Sequence, residues 1–418
     1  MDYILSKDLK AHLNKEVLLK GWVYNFRSSG KLFFLQFRDG YGTLQAIANK
    51  DQVPEGLKLE TSCEIVGTVS KHPKKEEYEL HVKEFKVIQI PKQDYPISKK
   101  DHGPEFLLDN RHLWLRSSKQ WAVMRVRDTI IRAVYDFFHE QGFIKIDSPI
   151  LTPNACEGTT TLFPVEYFDL GKAYLSQSGQ LYLEAAVMSL GKVYDFGPVF
   201  RAEKSKTRKH LTEFWMMDAE MAFYEHKENM KVQEDMVCYI IKKVLAENKI
   251  ELNILERKIE DLEKIKAPFY HIDHKKACEK LGADPSDDFG AEDELKLANS
   301  YDKPVFVEKY PAKVKAFYMK RDPQDESRVL CNDLLAPGLG EIIGGSQRED
   351  DYDKLLARIK EQNLPEKDFQ WYLDLRQYGS VPHAGFGLGL ERCVQWLTGI
   401  AHIRESIPFP RLINRLKP

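Results

Sequence analysis

Three stretches of the chain place ionisable residues where charge is hard to keep, and each points to the chemistry of phosphates. The first is residues 193–223, VYDFGPVFRAEKSKTRKHLTEFWMMDAEMAF. One apolar run leads into a loop holding Lys204, Lys206, Arg208, Lys209 and His210, and a second apolar run leads out of it. The flanking runs carry Arg201, Glu203, Glu213, Asp218 and Glu220. A charge run alone is usually a solvated face. Ionisable groups on apolar strands are different, because burying them without partners is costly. A cleft that takes a polyanion together with a cation-bearing ligand accounts for both signs.

The second stretch is residues 331–349, CNDLLAPGLGEIIGGSQRE, with Asp333 and Glu341 on either side of a Pro-Gly loop and Arg348 beyond them. Mg²⁺ takes one or two protein carboxylates plus phosphate oxygens, so this pair suits a metal–phosphate site. Taken in isolation, the two acids suit a solvated structural loop better. The third is residues 378–400, YGSVPHAGFGLGLERCVQWLTGI, in which Gly385, Gly387 and Gly389 lead into an apolar helix that opens with Glu391 and Arg392. Glycines ahead of a helix let a ligand's phosphates or ring approach the backbone. A dinucleotide-binding turn is the rival reading. It requires a βαβ unit with an acid about 20 residues further on, and no second βα unit follows. No GxxxxGK[ST] sequence occurs either.

The elements that must hold these stretches divide in two. Residues 1–98 read as β: VLLKGWVYNF, KLFFLQFRDG, TLQAIAN, CEIVGTV and YELHVKEFKVIQI are short, rich in β-branched and aromatic residues, and separated by turn signals such as Ser28-Ser29-Gly30 and Asp39-Gly40. Five such strands fit a small barrel of the oligonucleotide-binding type, and on strand count alone any small β-barrel fits. Residues 99–120 follow as a polar hinge or linker. From 121 to 141, Val123, Met124, Val126, Ile130, Ile131, Val134, Phe137 and Phe138 stand at helical spacing, and Gly142 stops the helix. IKIDSPIL then reads as a proline-bearing edge strand. The rest of the second domain, 121–418, mixes strands and helices without βαβ alternation, which predicts an α+β fold. Residues 225–320 read as charged and largely helical.

Composition restricts the classes further. A net charge of -2 over 418 residues does not advertise a polyanion partner, although local patches, not the average, bind phosphates. The six cysteines form no CxxC pair, which argues against a zinc ribbon or a disulfide framework. His271 and His274, in HIDH, fall one step short of the i,i+4 spacing of a helical zinc pair. The opening MDYILSKDLK lacks the order of a signal peptide, and no run approaches the ~18 apolar residues of a membrane span. A cytoplasmic enzyme with no membrane contact is expected.

Together these stretches resemble a known family. FRAE…HLTEF is similar to motif 2 of the class II aminoacyl-tRNA synthetases, GFGLGLER to motif 3, and the helix leading into Pro149 to motif 1. GWVYNFRSSGKLFFLQFRDGYGTLQ resembles the anticodon-binding barrel of the aspartyl, asparaginyl and lysyl subgroup. The resemblance covers nearly the whole chain and is weakest over 225–320. It implies an oligonucleotide-binding barrel at 1–98 ahead of a catalytic domain built on an antiparallel sheet flanked by helices, and a homodimer. Within the subgroup, the aspartyl pattern QSPQLYKQ supplies a lysine for the substrate carboxylate. This chain reads QSGQLYLE at 177–184, with Leu183 in that place. A pocket without the cation fits an amide better, since losing a buried counter-charge costs an anionic ligand on the order of 2–5 kcal/mol. GEIIGGSQRE and SIPFPR also look asparaginyl. The expected substrates are therefore L-asparagine, ATP with Mg²⁺, and tRNA(Asn).

The resemblance also implies roles. Arg201 and Arg392 would be catalytic. ATP would lie among Arg201, Glu203, His210, Leu211, Phe214, Glu341, Gly389 and Arg392, with Asp333 and Glu341 holding the metal. Glu157, Ser176, Gln180, Asp218, Glu220 and Arg348 would form the amino-acid pocket. Phe34 and Gln45 match positions that stack on and hydrogen-bond an anticodon base, although a barrel-core position would suit Phe34 as well. Two departures stand out: Lys209 replaces a loop arginine, and Asp218 stands where asparaginyl enzymes often carry glutamate. A relative that passes activated aspartate to ammonia would lack the barrel. A non-catalytic relative would have lost motif arginines or metal acids, and Arg201, Glu203, Glu341 and Arg392 are all present.

Overall fold

Alternation of apolar and polar residues closes the first part of the chain into a barrel. In the computed structural model, which describes residues 3–74, 76–98, 100–156, 162–204 and 207–418, the chain forms two units, Met1–Leu108 and Asp109–Pro418. In the first, β1 (Glu16–Ser29), β2 (Leu32–Arg38), β3 (Thr43–Asn49), β4 (Thr61–Lys71) and β5 (Tyr78–Gln89) close in the order β1-β2-β3-β5-β4. Val17, Leu19, Leu35, Phe37, Ala46, Ile65 and Leu80 fill the interior. Because side chains alternate across a strand, burying Leu35 and Phe37 turns Phe34 and Gln36 outward.

The stretch read as a linker is more ordered than its composition suggests. It contains α1 (Pro104–Asp109), α2 (Arg111–Trp114) and the start of α3 (Ser118–Glu140). Arg111 is buried, giving Nε to Pro408 O at 2.7 Å and Nη1 to Gln120 Oε1 at 2.6 Å. α3 carries the expected apolar stripe, and Gly142 follows it at φ 75°. IKIDSPIL, however, is not one strand. Pro149 and the Ser148 N–H, which donates to Asp195 Oδ2, break it into β6 (Ile144–Lys145) and β7 (Leu151–Thr152), which join different sheets. β7 pairs with β9 (Lys172–Leu175), which in turn pairs with β8 (Pro164–Glu166).

Next come α4 (Gln180–Leu190), β10 (Lys192–Phe200), β11 (Glu213–Ala222) and α5 (His226–Glu247). The region read as helical holds α6 (Lys249–Ile254), α7 (Ile259–Glu263), α8 (His274–Leu281) and α9 (Ala291–Ala298). It also supplies two strands, β12 (Tyr270–Asp273) and β13 (Val305–Glu308). A hairpin of β14 (Arg321–Asp322) and β15 (Asp325–Val329) precedes β16 (Cys331–Ala336) and β17 (Gly340–Gln347). α10 (Tyr352–Glu361), α11 (Gln370–Gln377), β18 (His383–Gly389) and α12 (Leu390–Thr398) complete the chain.

The main sheet runs β12-β13-β16-β17-β18-β11-β10-β6. It is antiparallel from β13 to β10 and parallel only at its two outer pairs. One face packs on α3, α5 and α12: Met217, Ala219 and Met221 of β11, with Phe386 and Leu388 of β18, join Val126, Ile130, Val237, Ile240 and Val394 in the largest core cluster. Period-two alternation sends Asp218 and Glu220, and Gly385, Gly387 and Gly389, to the opposite face. GFGLGL is therefore a strand, not a loop before a helix. At its end, Glu391 points inward to Arg127 (Nη1 to Oε1, 2.7 Å) and accepts from Trp215 N at 2.9 Å, locking α12 to α3 and β11.

Candidate active site

Strand register builds the floor of the site. Asp218 of β11 lies opposite Gly387 of β18, Gly387 opposite Gly344 of β17, and Gly344 opposite Asp333 of β16. A row across four strands thus reads carboxylate, glycine, glycine, carboxylate. The two missing side chains leave a trough, and a cavity of about 370 Å³ lies over it. Close approach also requires these glycines. A Cβ at Gly387 would lie 2.7 Å from Asp218 Oδ1, and one at Gly385 would lie 2.1 Å from Glu220 Oε1 and 2.3 Å from Ala219 O. The glycines at 385 and 387 make room for acids on the next strand; only at 389, where the nearest atom is 3.9 Å away, is there open space.

At one end of the trough, acids and bases interleave. Lys315 gives Nζ to Asp333 Oδ2 at 3.0 Å and lies 3.1 Å from Asp288 Oδ2, while Arg392 Nη1 donates to Glu341 Oε2 at 2.8 Å. The other oxygens of the two cavity acids converge, since a Cβ at Gly344 would lie 3.4 Å from Glu341 Oε1 and 3.7 Å from Asp333 Oδ1. Burial raises the Asp333 carboxyl to about 7 despite Lys315, with Glu341 adding to the rise. Burial acts on Glu341 too, but Arg392 and Lys315 outweigh it and hold its pKa down. Two half-buried acids aimed at one point, one of them reluctant to ionise, are a fitting donor set for a divalent cation with phosphate. Among the described residues no group of three or more His, Cys, Asp or Glu could hold a metal by itself.

Motif 2 supplies the wall. β10 and β11 pair antiparallel on either side of the basic loop, as the sequence suggested. Arg201 lines the cavity with its guanidinium 5.5 Å above the Phe214 ring, and its buried Nε has no hydrogen-bond partner among the described residues. His210 Nε2 lies 3.6 Å from Glu203 Oε2. Burial, then the nearby Arg392, lowers the His210 pKa below its ordinary value. The Lys209 ammonium is 3.6 Å from Glu294 Oε2, and burial lowers its pKa as well. Leu211, Phe214 and Gly389 also line the cavity.

At the other end, Asp218 Oδ2 accepts from Ser178 Oγ at 3.0 Å and Gly179 N at 2.9 Å. Gln180 and Arg348 share this part of the wall. Arg348 is held by Glu220 (Nε to Oε1, 2.8 Å) and by Ser346 Oγ (2.7 Å). Glu220 itself is fully buried and does not reach the cavity; it touches Arg348 instead. Ser176 likewise does not line the cavity, because its Oγ is spent on Ser178 O at 2.9 Å. Glu157 lies outside the described residues. The inference drawn from Leu183 needs amending, since that side chain packs with Val187, Val193 and Ala222 in an apolar cluster and does not line the cavity. Sequence reasoning missed Lys315, Glu294 and the buried Glu184. Lys315 and Glu294 come from segments without motif character, whereas Glu184 closes the QSGQLYLE stretch, where attention went to Leu183.

On the barrel, Phe34 is half-buried on the outer face with the Arg27 guanidinium 4.9 Å from its ring. Gln45 is half-buried on the neighbouring strand and gives Nε2 to Glu79 Oε2 at 3.0 Å. Phe34 therefore does not belong to the interior.

Known proteins match along the same division. Residues 103–413 match the model of class II tRNA synthetases (D, K and N), and residues 17–88 match an OB-fold nucleic acid binding domain. The chain belongs to the class II tRNA synthetase family of the D, K and N type. An asparagine–tRNA ligase from Sorangium cellulosum is 50% identical, with 99% of each chain covered. The crystal structure of asparaginyl-tRNA synthetase from Pyrococcus horikoshii complexed with asparaginyl-adenylate superposes with a TM-score of 0.96 at 43% identity over 100% of both chains. A putative aspartyl-tRNA synthetase from Leishmania major superposes at 0.87 with 26% identity, over 100% of this chain and 94% of that one.

The floor geometry separates two alanine substitutions. Gly385→Ala drives a Cβ into a neighbouring backbone oxygen and should cost about 3 kcal/mol, the upper part of the overpacking range. Gly389→Ala should change stability by no more than about 0.5 kcal/mol. Urea denaturation midpoints of the two variants check this, and equal midpoints would contradict the packing described.

Proposed function

We propose that this enzyme joins L-asparagine to tRNA(Asn), first activating the amino acid with ATP. The observation that carries the choice of asparagine is a cavity wall offering one acceptor, Asp218, and one donor, Arg348. Arg348 donates to the side-chain carbonyl oxygen and Asp218 accepts from the amide NH₂. Aspartate would leave one buried group unpaired, which a site of this kind penalises heavily. Gln180 and Glu157 serve the α-ammonium end, and Glu220 and Ser176 act from behind the wall.

In the first step a carboxylate oxygen of asparagine attacks the α-phosphorus of ATP. The bond from that phosphorus to the β-bridging oxygen breaks, and pyrophosphate leaves. The carboxylate is already ionised at neutral pH, so no general base is required, and catalysis is positioning plus charge stabilisation. Arg201 holds the α-phosphate; its unpartnered buried Nε supports that assignment. Phe214 stacks on adenine, Glu203 accepts from the exocyclic amine, and Leu211 and Gly389 border the nucleotide. Arg392 and His210 take the outer phosphates. Asp333 and Glu341 would hold Mg²⁺, which neutralises phosphate charge. In the second step a hydroxyl of the terminal adenosine attacks the activated carbonyl, losing its proton, and AMP departs.

The tRNA is read on the barrel, where Phe34 stacks on an anticodon base and Gln45 hydrogen-bonds to it. Two copies of the chain pair through the motif 1 region. In support, Tyr135 of α3, Phe196 and Trp215 form a connected aromatic face with centroids 5.6 and 6.0 Å apart, and Tyr135 and Trp215 are each 37% exposed. Among the described residues no helix is long and apolar enough to cross a membrane. The cytoplasm, where ATP and tRNA meet, is the proposed place of action.

Amino-acid-dependent exchange of pyrophosphate into ATP, with Mg²⁺ present, tests the chemistry. Exchange is expected with asparagine and not with aspartate; the reverse would overturn the roles of Arg348 and Asp218. Phe34→Ala should leave that exchange intact and raise the KM for tRNA in the charging assay by roughly 5- to 100-fold, the worth of one base–aromatic stack. A parallel fall in exchange would make Phe34 a folding residue.

A further inference from the structure

Behind the amino-acid end of the cavity lies a buried cluster that the mechanism above does not use. Glu184, in the second turn of α4, has no exposed surface. Its Oε1 accepts from Gln180 Nε2 at 3.1 Å and from the Tyr372 hydroxyl at 2.7 Å. Its Oε2 accepts from Arg376 Nη2 at 2.6 Å and pairs with His383 Nε2 at 3.0 Å. Glu184 Oε1 also lies 4.0 Å from Arg348 Nε, and Gln180 and Arg348 both line the cavity. Burial alone would raise the Glu184 pKa, but Arg376, His383 and Arg348 outweigh it and keep the acid ionised.

We infer that Glu184 is a positioning residue that turns the enzyme against aspartate by cancelling the charge of Arg348. The inference rests on the asparagine reading above. Arg348 and Arg376 pack against Glu184, which stays ionised and also pairs with His383, and against Glu220, whose pKa burial raises to about 7 despite the pull of Arg348. Arg348 therefore shows the cavity hydrogen-bond donors with little net positive charge behind them. An amide carbonyl needs only the donors. A carboxylate gains from Arg348 only as much attraction as remains uncompensated, and in a buried site a charge 4 Å away is weakly screened. Aspartate would also face the Asp218 carboxylate. This is discrimination by a built-in repulsive element as well as an attractive one. The aspartyl pattern QSPQLYKQ has glutamine where this chain has Glu184, a change of one charge unit toward negative behind this wall.

The test is the ratio of kcat/KM for asparagine over aspartate in pyrophosphate exchange, measured for the full chain and for Glu184→Gln. The substitution keeps the shape and removes the charge. The ratio is expected to fall by about tenfold or more, equivalent to about 1.4 kcal/mol, through a lower KM for aspartate, with kcat for asparagine kept within roughly threefold. A purely structural role would lower both substrates together and leave the ratio unchanged, which overturns the inference. Tyr372→Phe removes a hydrogen bond to Glu184 without changing charge and should keep the ratio; an equal fall there would overturn the electrostatic claim. If Glu184→Gln does not fold, Glu220→Gln removes the other counter-charge of Arg348 and decides the matter by the same ratio. A wild-type chain inactive with asparagine would instead refute the reading on which the inference stands.

Discussion

Two glycines side by side in the centre of an antiparallel sheet set the conditions for everything else in this site. Gly344 and Gly387 lie between Asp218 and Asp333 in one cross-strand row. A side chain at either position would occupy the trough, and one at Gly387 would also crowd Asp218. The register that aligns this row is fixed from behind. Met217, Ala219, Phe386, Leu388 and Ile343 must face α3 and α5, and a slip of one residue would send them to the cavity side. The hydrophobic core and the polar site are thus the two faces of a single constraint.

Above the trough, cations and acids of the site are matched in close pairs: Arg392 with Glu341, Lys315 with Asp333, Lys209 with Glu294, and Arg348 with Glu220. Pairing lets so many charges stay buried, because an unpaired one would cost several kcal/mol. It also leaves the donors aimed before substrate arrives. A preorganised polar site avoids reorganisation during the reaction, which is the usual source of electrostatic catalysis. Arg201 Nε and Lys209 Nζ are both buried without a hydrogen-bond partner among the described residues, and the phosphate assigned to Arg201 would complete its bond.

Much of this was legible in the sequence, and the failures have physical causes. The barrel strands and the strand–loop–strand of motif 2 were readable because apolar alternation and turn residues agree there. GFGLGL was given no secondary structure of its own, because glycine weakens a strand, although its alternation with Phe386 and Leu388 was the available clue. IKIDSPIL looked continuous because composition does not reveal that the Ser148 N–H is taken by Asp195. β12 and β13 were lost in a charged, helix-rich segment, although VFVE after Pro304 is a short apolar run of strand type. Lys315 and Glu294 carry no local signal, since their meaning lies in partners that are far away in sequence; Glu184 stands inside QSGQLYLE, but its partners Tyr372, Arg376 and His383 are equally remote. Leu183 pointed to the correct turn of α4, but the informative residue there is its neighbour.

In the reaction proposed above, the activated amino acid sits over the glycine trough. Calorimetric titration of a non-hydrolysable asparaginyl-adenylate analogue into the wild-type chain and into Gly344→Ala tests that placement. A Cβ at 344 meets Glu341 and Asp333 only at ordinary contact distances of 3.4 and 3.7 Å, so the variant should fold. Its side chain nonetheless occupies the trough, and the analogue should bind at least about tenfold more weakly, a loss of about 1.4 kcal/mol or more. Unchanged affinity in a folded Gly344→Ala protein would mean that the ligand does not lie over these glycines.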